Sequence, residues 1–369
     1  MSEKRTYRIM ISGGGTGGHI YPAISIAQAL QVQLDSPEIL FVGAKGRMEM
    51  KKVPDAGFEI VGLWISGLQR KLTVGNLLFP FKVIVSLIKS FSLIKKFKPD
   101  AVVGVGGYAS GPLLFAASAK KIPTLIQEQN SYAGLTNKWL AKRVNRICVA
   151  HDGMEKYFPA SKLIVTGNPV RDNIVLKDSK KNEAFDFFGF AMNKKTIFMV
   201  GGSLGARTLN EAMLASLEKF EAAGIQVIWQ TGGFYFEEMK ARLPEKSPSG
   251  LKMVDFLKEM DMGYAVADVV ISRAGALSIA ELEHTGKATI LIPSPNVAED
   301  HQTLNALALV ENNAAILLKD VHAVEQLAEK TLKLLGDMDQ RNELSKNIKE
   351  LAKADAAKEI ANEVIKLVA

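Results

Sequence analysis

Cysteine is nearly absent from this chain, and its scarcity excludes a fold held together by internal disulfides. Cys148 is the single cysteine among 369 residues, so no internal disulfide can form and the composition fits a reducing compartment. There is also no uncharged apolar run of about 18 residues, which a membrane-spanning helix needs. The apolar stretch Tyr7–Ile11 is too short for a signal peptide. We therefore expect a protein of the cytoplasm.

Candidate metal ligands are equally sparse. The chain has five histidines, and its one Asp-x-Asp triplet is Asp337-Met338-Asp339. That triplet lies between helical stretches, where helix capping explains it better than metal binding. The sequence therefore predicts neither a metal site nor a resident cofactor.

Acidic residues are scarce in the first half only. Residues 1–170 contain 22 Lys and Arg against 10 Asp and Glu, whereas residues 171–369 contain 24 against 29. Such asymmetry indicates an anionic partner for the first half: nucleic acid, a membrane surface or a phosphorylated substrate. A solvated basic face explains it equally well. Aromatic and basic residues are not interleaved here, so we expect no nucleic-acid partner.

What the chain does contain is a repeated alternation of short apolar strands and amphipathic helices. The strands are predicted at Tyr7–Ile11, Ile39–Val42, Ala101–Val105, Thr124–Gln127, Arg146–Val149, Thr196–Val200, Gln226–Gln230, Val269–Ile271 and Thr289–Ile292. This alternation predicts two α/β domains, each with a parallel sheet covered by helices on both faces. Gly167-Asn168-Pro169 marks the boundary. We expect domains over 1–167 and 168–339, then one long helix, Gln340–Leu367, within 340–369.

Two glycine loops follow predicted strands of the first half. Gly13-Gly14-Gly15-Thr16-Gly17-Gly18 precedes His19, and such a loop lets the backbone and a helix N-terminus approach an anion. Its glycines do not keep the dinucleotide spacing of dehydrogenases, and no acidic residue ends the next strand. His19 could act as a general base, although a lone histidine is more often structural.

The second glycine loop, residues 104–111, is followed by Pro112 in the first turn of the next helix. This loop is either a second anion site or only a tight turn. Glu128, after the next strand, could orient His19 or itself take a proton.

The second half repeats the arrangement. The loop 201–207, with Ser203, follows one strand, and Arg273 with the helix from Ala276 follows another. That helix N-terminus suits a diphosphate, and Glu281, one turn in, could accept hydrogen bonds from ribose hydroxyls. Alternatively, Glu281 only favours the helix dipole. Residues 300–302 place further polar groups in reach of a sugar.

Taken together and in order, these segments resemble the bacterial MurG family of glycosyltransferases. The matching stretches are GGGTGGHIYPA (13–23), GVGGYASGP (104–112), EQNSYAGLTNKWLA (128–141), GNPVR (167–171), GGSLGAR (201–207), SRAGALSIAEL (272–282) and DHQTLNA (300–306). They span nearly the whole chain. Members often read His-Glu-Gln-Asn where this chain has Gln127, and some have a Gln-Gln pair where this chain has His301-Gln302.

The resemblance implies a GT-B fold, with two Rossmann-like domains whose parallel sheets face a central cleft. The first domain would bind the acceptor and the membrane and the second would bind UDP-GlcNAc, while the last helix packs back towards the first domain. The resemblance implies that the donor UDP-GlcNAc contacts Thr16, Gly17, Gly18, Asn130, Arg171, Ser203, Leu257, Ala276, Leu277, Ser278, Ile279, Ala280, Glu281 and Gln302, with the backbone of Leu257 at the edge of the uracil. Arg273 is a further candidate substrate-binding residue.

The implied reaction is an inverting, metal-independent transfer of N-acetylglucosamine from UDP-GlcNAc to lipid I, the undecaprenyl-pyrophosphoryl-MurNAc-pentapeptide, to give lipid II for peptidoglycan. The base is His19, or else Glu128. The alternatives are another UDP-sugar transferase, a UDP-GlcNAc 2-epimerase, or a catalytically silent sugar-nucleotide module.

The segment 77–98 reads LLFPFKVIVSLIKSFSLIKKFK. Its lysines interrupt the apolar run too often for a spanning helix, but they suit a helix lying on anionic lipid. A core helix with a solvated lysine edge is the other interpretation. The basic first half favours a peripheral contact at the cytoplasmic face of the membrane, with residues 77–81 docking first.

Overall fold

A computed structural model gives the architecture of the chain. It describes residues 6–67, 78–170, 174, 180–202, 204–245, 248–297, 300–353 and 355–369. Within these ranges, none of the helices combines the length and hydropathy that crossing a bilayer requires. The chain divides into two compact units, the first formed by residues 1–171 and 353–369 and the second by residues 172–352.

The first unit contains a seven-stranded sheet. Its strands are β1 (Arg8–Ser12), β2 (Glu38–Ala44), β3 (Glu59–Leu63), β4 (Ala101–Gly104), β5 (Thr124–Glu128), β6 (Arg146–Val149) and β7 (Leu163–Val165). The spatial order is β3-β2-β1-β4-β5-β6-β7, with every pair parallel. Because alternate residues of a strand face opposite sides, Met10 and Ile9 pack into two separate cores, one on each face.

Six α-helices lie in the described residues of the first unit. They are α1 (Gly17–Gln33), α2 (Glu49–Asp55), α3 (Phe79–Phe97), α4 (Ser110–Ala119), α5 (Leu135–Leu140) and, at the end of the chain, α14 (Ala356–Val368). Helix α14 packs on α1, and Ile360 and Val364 enter the same core as Ile9. The first unit is therefore completed by the last segment of the chain.

The second unit contains a six-stranded parallel sheet. Its strands are β8 (Thr196–Val200), β9 (Gln226–Gln230), β10 (Leu251–Val254), β11 (Val269–Ser272), β12 (Thr289–Leu291) and β13 (Ile316–Leu317). The spatial order is β10-β9-β8-β11-β12-β13. The helices around it are α6 (Lys180–Phe188), α7 (Arg207–Ala222), α8 (Phe236–Ala241), α9 (Met260–Val266), α10 (Ala276–Thr285), α11 (His301–Glu311), α12 (Ala323–Gly336) and α13 (Met338–Glu350).

The nine strands predicted from the sequence are all present, within about two residues at each end. The prediction of one long helix over Gln340–Leu367 was wrong. The structure has α13 and α14 there, and Asp355 between them adopts a left-handed conformation (φ 59°) that ends helical continuity. The two helices also pack in different units, because α13 contacts α10 whereas α14 contacts α1.

The strand order reverses once in each sheet, and the loops of the candidate site lie next to these two reversals. In the first sheet β1 lies between β2 and β4, and in the second β8 lies between β9 and β11. At such a switch point the connections from neighbouring strands leave in opposite directions and open a crevice at the carboxyl edge. The loops after β1 and β4 flank the first crevice, and those after β8 and β11 flank the second.

Candidate functional site

His19 lies in the first turn of α1, directly after the glycine loop of the first sheet. The helix begins after Thr16, whose extended backbone (φ −145°) makes it the N-cap, and its first turn contains no acidic residue. The ring nitrogen Nδ1 of His19 lies 3.1 Å from the carbonyl oxygen of Gly14 and 3.2 Å from the Thr16 hydroxyl. Because a carbonyl oxygen only accepts, Nδ1 carries the proton in the bond to Gly14 and Nε2 is the basic nitrogen.

The glycine loops after β1 and β4 are in direct contact. Gly106 and Gly107 both have positive φ, 99° and 88°. A Cβ at Gly106 would lie 2.7 Å from Nε2 of His19, and one at Gly107 would collide with the backbone of Gly14. Glycine is therefore required at both positions, for backbone conformation and for space. The structure thus brings the two predicted loops together around His19.

Glu128, the second candidate base, is buried and fully engaged. One carboxylate oxygen accepts hydrogen bonds from the backbone and side-chain nitrogens of Asn130, and the other accepts from the Gly134 N–H and the Asn137 amide, both at 2.9 Å. A carboxylate that accepts four hydrogen bonds is poorly placed to take a proton from a substrate. Its contacts instead fix the loop that carries Asn130.

A cluster of buried side-chain amides lies beside that loop. The sequence analysis did not predict that these residues form a cluster. The Gln127 amide donates to Asn168 (3.0 Å), and Asn168 donates to the carbonyl of Gln129 (2.9 Å). Gln129 donates to the carbonyl of Val105 at the start of the second glycine loop (2.7 Å) and to the Gln127 side chain. Burial, the largest effect, lowers the pKa of the neighbouring His151, which stays neutral at pH 7.

Glu49 at the start of α2 was also missed, although it contacts the glycine loop directly. It is almost fully buried (1% exposed) and accepts hydrogen bonds from the backbone N–H groups of Gly15 and Ala44, both at 2.9 Å. Its side chain occupies the space that Cβ atoms of Gly14 and Gly43 would need. No sequence motif signals this contact, because 34 residues separate Glu49 from Gly15.

Two predicted donor contacts, Arg171 and Ser203, lie outside the described residues, so they stay predictions. The described part of the loop after β8 is held by backbone groups and by the Gln230 amide, which donates to the Gly202 carbonyl (3.4 Å). The Gly205 N–H donates to the carbonyl of Gly202 (3.1 Å), and Gly205 packs against Gly232 in the loop after β9. The Asn210 amide on α7 donates to the carbonyl of Thr231 (2.9 Å) and ties the two loops to the helix.

Helix α10 offers the second anion-ready terminus. Gly275 is its N-cap, no side chain caps it, and its first turn, which contains the predicted Ala276, Leu277 and Ser278, has no acidic residue. Ile279 and Ala280 turn into the core. Glu281 follows in the second turn, where it is buried and accepts a hydrogen bond from the Tyr264 hydroxyl (3.2 Å). A buried carboxylate held in one position suits recognition of a diol.

The other predicted donor contacts of this unit already have partners inside it. Arg273 donates through Nη1 to the carbonyls of Ile292 and Pro293 and to Asp320, so it anchors the chain after β12. Gln302 accepts from the Ser294 N–H (2.9 Å). The Leu257 N–H donates to the side chain of Gln230 (3.0 Å), so a uracil contact through that N–H requires displacement of the Gln230 amide.

Helix α3 is apolar on its outward side, although Val83, Phe91 and Phe97 also pack against the core. Its buried row contains Ser86, Ser90 and Ile94. Its outward row is apolar instead, with Phe81, Ile84, Val85 and Ile88 between 44% and 66% exposed. Ordinary surface helices bury the apolar face. The helix therefore presents a ready-made apolar surface.

The lysines of α3 divide into two groups, which the sequence did not predict. Lys82 donates to the Ser66 hydroxyl (2.9 Å) and Lys89 to the carbonyl of Gly62 (2.8 Å), so both turn towards the chain around β3. Burial, and then Lys45, lower the pKa of Lys89. Lys95, Lys96 and Lys98 are exposed at the end of the helix. Lys82 and Lys89 thus already have partners within the first unit, and the lipid contact expected of this segment stays a prediction.

Among the residues that the structure describes, no group of three or more His, Cys, Asp or Glu side chains could hold a metal ion. Asp337 caps α13 by accepting from the Gln340 N–H (2.9 Å). The capping role predicted for the Asp-x-Asp triplet is thus confirmed.

Comparison with known families defines the class of the protein. Residues 9–149 match the glycosyltransferase family 28 N-terminal domain, and residues 196–360 match the C-terminal domain of the same family. The two matches cover the two sheets in turn. The chain is thus a two-domain glycosyltransferase of the GT-B type, as predicted.

Curated relatives narrow the class. A UDP-N-acetylglucosamine–N-acetylmuramyl-(pentapeptide) pyrophosphoryl-undecaprenol N-acetylglucosamine transferase of Cytophaga hutchinsonii is 54% identical over 368 residues, covering 100% of this chain and 99% of the relative. The enzyme of the same name from Flavobacterium psychrophilum is 51% identical over 362 residues and covers 98% of each chain. The chain belongs to this family, the MurG transferases, and the predicted family is confirmed.

Solved structures agree with this assignment. Acinetobacter baumannii MurG has a TM-score of 0.75 at 27% identity, covering 98% of this chain and 100% of that one. A UDP-N-acetylglucosamine 2-epimerase has a TM-score of 0.67 at 16% identity, covering 98% of this chain and 96% of that one. The second likeness extends to the fold alone.

Proposed function

We propose how the described residues carry out the reaction that family membership assigns to this chain. That reaction is the transfer of N-acetylglucosamine from UDP-GlcNAc to the MurNAc 4-hydroxyl of lipid I, giving lipid II. We assign acceptor binding and the base to the first unit and donor binding to the second. The observation that supports this division most directly is the placement of His19 and Glu281 at the switch points of different sheets.

His19 is the base in this mechanism. Nε2 takes the proton of the acceptor 4-hydroxyl as its oxygen forms a bond to C1 of the donor sugar. The bond between C1 and the diphosphate oxygen breaks, UDP leaves with the electron pair, and the configuration at C1 inverts. A base matched to the working pH suits this step, and the bond from Nδ1 of His19 to the Gly14 carbonyl leaves the basic lone pair of the neutral ring on Nε2. Gly17 and Gly18 share the first turn of α1 with His19, and the Thr16 hydroxyl lies 3.2 Å from Nδ1 of the ring; these residues and Asn130 are proposed to contact the substrates.

The diphosphate of the donor is held by helix N-termini. The backbone N–H groups and the helix dipole at the N-terminus of α10 stabilise the charge that develops as UDP leaves, and Ser203 and Arg171 are proposed to add to it. Glu281 accepts hydrogen bonds from the ribose, and Gln302, with His301 beside it, contacts the sugar. Because these groups perform the role of a divalent ion, we propose that the transfer needs no metal.

The outward face of α3 docks the first unit on the membrane. Phe81, Ile84, Val85 and Ile88 recur at helical spacing on one face, and Lys95 and Lys96 continue it. An apolar face that ends in exposed lysines suits an anionic leaflet, and the acceptor carries an undecaprenyl tail. On this ground we propose that the protein acts at the cytoplasmic face of the membrane. Leu77, part of the predicted docking segment, lies outside the described residues.

Acceptor-dependent release of UDP tests the assignment of the reaction. The enzyme is incubated with UDP-GlcNAc and a muramyl-pyrophosphoryl lipid analogue, and we expect UDP and a disaccharide product in equal amounts. Conversion of the donor sugar without an acceptor would identify an epimerase instead. A protein that binds UDP-GlcNAc but never turns it over would be the silent module.

Vesicle co-sedimentation tests the docking face. The triple variant F81S/I84S/I88S should lose most of its binding to phosphatidylglycerol vesicles, whereas V32S, which removes an apolar side chain exposed on α1, should bind like the wild type. K95Q/K96Q should weaken the dependence on anionic lipid. Wild-type binding by the folded triple variant would refute the proposed face.

A further inference from the structure

One peptide group joins Glu49 to His19. The Gly15 N–H, which donates to Oε2 of Glu49 at 2.9 Å, and the Gly14 carbonyl, which lies 3.1 Å from Nδ1 of His19, are the two ends of the same amide. The buried carboxylate therefore stands behind the ring at a distance of one peptide bond. This alignment connects the carboxylate to the imidazole ring, in addition to holding the loop in place.

Hydrogen bonds in series polarise one another. A carboxylate that accepts from an amide N–H draws positive charge to that end of the amide and makes its carbonyl oxygen a stronger acceptor. The Gly14 oxygen then holds the Nδ1 proton of His19 more firmly and stabilises positive charge on the ring once Nε2 has taken a proton. In hydrolases with a Ser-His-Asp triad, a carboxylate performs both tasks by direct contact with the imidazole.

The surroundings of Glu49 are shaped for this contact. Its second oxygen accepts from the Ala44 N–H at 2.9 Å, which fixes the carboxylate in one orientation. A Cβ at Gly43 would lie 2.6 Å from Cγ of Glu49, and a Cβ at Gly14 would collide with the carboxylate. Gly15 itself has φ 85°, a conformation that turns its N–H towards Glu49 at little cost only for glycine.

We propose that Glu49 is a positioning residue of the transfer reaction, which acts on His19 through the peptide group between Gly14 and Gly15. It selects the ring tautomer with the proton on Nδ1 and increases the basicity of Nε2. This role rests on the proposed function of His19 as the base. Glu49 does not touch the substrate in this account.

A double-mutant cycle on the full chain tests the proposal. E49Q keeps the size of the side chain but removes its charge and leaves one oxygen for two N–H donors. We expect kcat to fall by about 10- to 100-fold, the scale found for residues that orient a reacting group from behind it, with an unchanged KM for UDP-GlcNAc. In an H19A background, E49Q should cost almost nothing further, because its effect passes through the ring. E59Q, the same change at an exposed position on β3, is the matched control.

A merely structural role gives a different result. If Glu49 only holds the fold of the loop, E49Q lowers kcat by the same factor with and without His19, and the proposal is overturned. Wild-type kcat in the E49Q enzyme overturns it as well. If H19A alone keeps wild-type turnover, the base assignment fails instead, and the state of the ring then decides whether the relay exists.

That state is measured on the wild-type enzyme, so the test does not depend on a variant that folds. Long-range ¹⁵N–¹H spectra distinguish the two neutral tautomers of a histidine, and with five histidines in the chain the H19A spectrum identifies the His19 signals. We expect the neutral ring to carry its proton on Nδ1, and folded E49Q to shift part of the population to Nε2. A wild-type ring with its proton on Nε2 would contradict the proposal.

Discussion

The glycine loop after β1 and the glycine loop after β8 occupy equivalent positions in their sheets, yet they are held in different ways. A buried carboxylate, Glu49, binds the first loop, and the imidazole of His19 rests on its backbone. The described part of the second loop is held by backbone bonds, by the neutral Gln230 amide, which donates to the Gly202 carbonyl (3.4 Å), and by the close approach of Gly205 to Gly232. The first loop is thus built to fix one titratable side chain.

The helices after these strands show the same contrast. Beside the second crevice, α10 begins without a side-chain cap. Its carboxylate, Glu281, lies in the second turn of the helix. In the first unit the only titratable group in the opening turn of α1 is His19. We infer that the first unit supplies proton transfer and the second supplies charge stabilisation. Each prediction below tests one side of that division.

The largest expected effect is on the first unit. H19A should lower turnover about 10²- to 10⁴-fold, because it removes the proton acceptor, and should leave the dissociation constant of UDP-GlcNAc unchanged. Steady-state rates and a donor titration on the same preparation check both parts. Turnover near that of the wild type would place the base elsewhere, although Glu128, with four hydrogen bonds to satisfy, is a poor substitute.

A substitution in the second unit should change donor binding, whereas H19A should change turnover. E281A removes charged hydrogen bonds to the ribose and should weaken donor binding by about 1.5–3 kcal/mol. Y264F is the matched control, since it removes the hydroxyl that donates to Glu281 but not the carboxylate, and its effect should be smaller. An unchanged donor dissociation constant in E281A would refute the ribose contact. Isothermal titration measures all three proteins.

A smaller effect is expected on the way that stability depends on pH, through a lysine of the second unit. Burial is the main reason that the pKa of Lys287 falls to about 8, whereas the unfolded side chain has its ordinary value near 10.5. Between these two values the unfolded state binds more protons, so the stability of the wild type rises with pH through this window. K287M lacks that rise. The unfolding free energies of the two proteins should therefore diverge by about 1–2 kcal/mol from pH 8 to pH 10, and parallel curves from denaturant titrations would contradict this.

The smallest expected effect is that of a chelator, which should leave turnover unchanged. Helix termini and hydrogen-bond donors hold the leaving diphosphate in this account, so no divalent ion is required. UDP release is measured with and without EDTA. Activity that is lost in EDTA and restored by magnesium would show that the second unit does not stabilise the diphosphate alone.

The sequence predicted the central strands well and the edge strands poorly. β1, β4, β8 and β11 are short, apolar and buried on both faces, so they read as continuous hydrophobic runs. The four edge strands, β3, β7, β10 and β13, were missed. β3 and β10 mix an exposed charged residue with apolar ones, and β7 and β13 are only three and two residues long. The split between α13 and α14 was missed because both halves have helical composition.

The site was predictable to a similar extent. Glycine loops after strands and the helix at Ala276 carry local signals, so their positions could be predicted. Glu49, Gln129 and Asn168 act through contacts between segments that are distant in the chain, and no local pattern records such contacts. The same reason explains why the partners of Arg273 and Lys82 became known only from the structure.

A single-turnover experiment with both substrates saturating tests the division of labour most directly. Wild type, H19A and E281A are mixed with an excess of UDP-GlcNAc and a lipid I analogue, and the rate of the first turnover is measured. The account predicts that E281A approaches the wild-type rate once its weaker donor site is filled, whereas H19A stays slower by about 10²-fold or more. A slow E281A beside a fast H19A would contradict it.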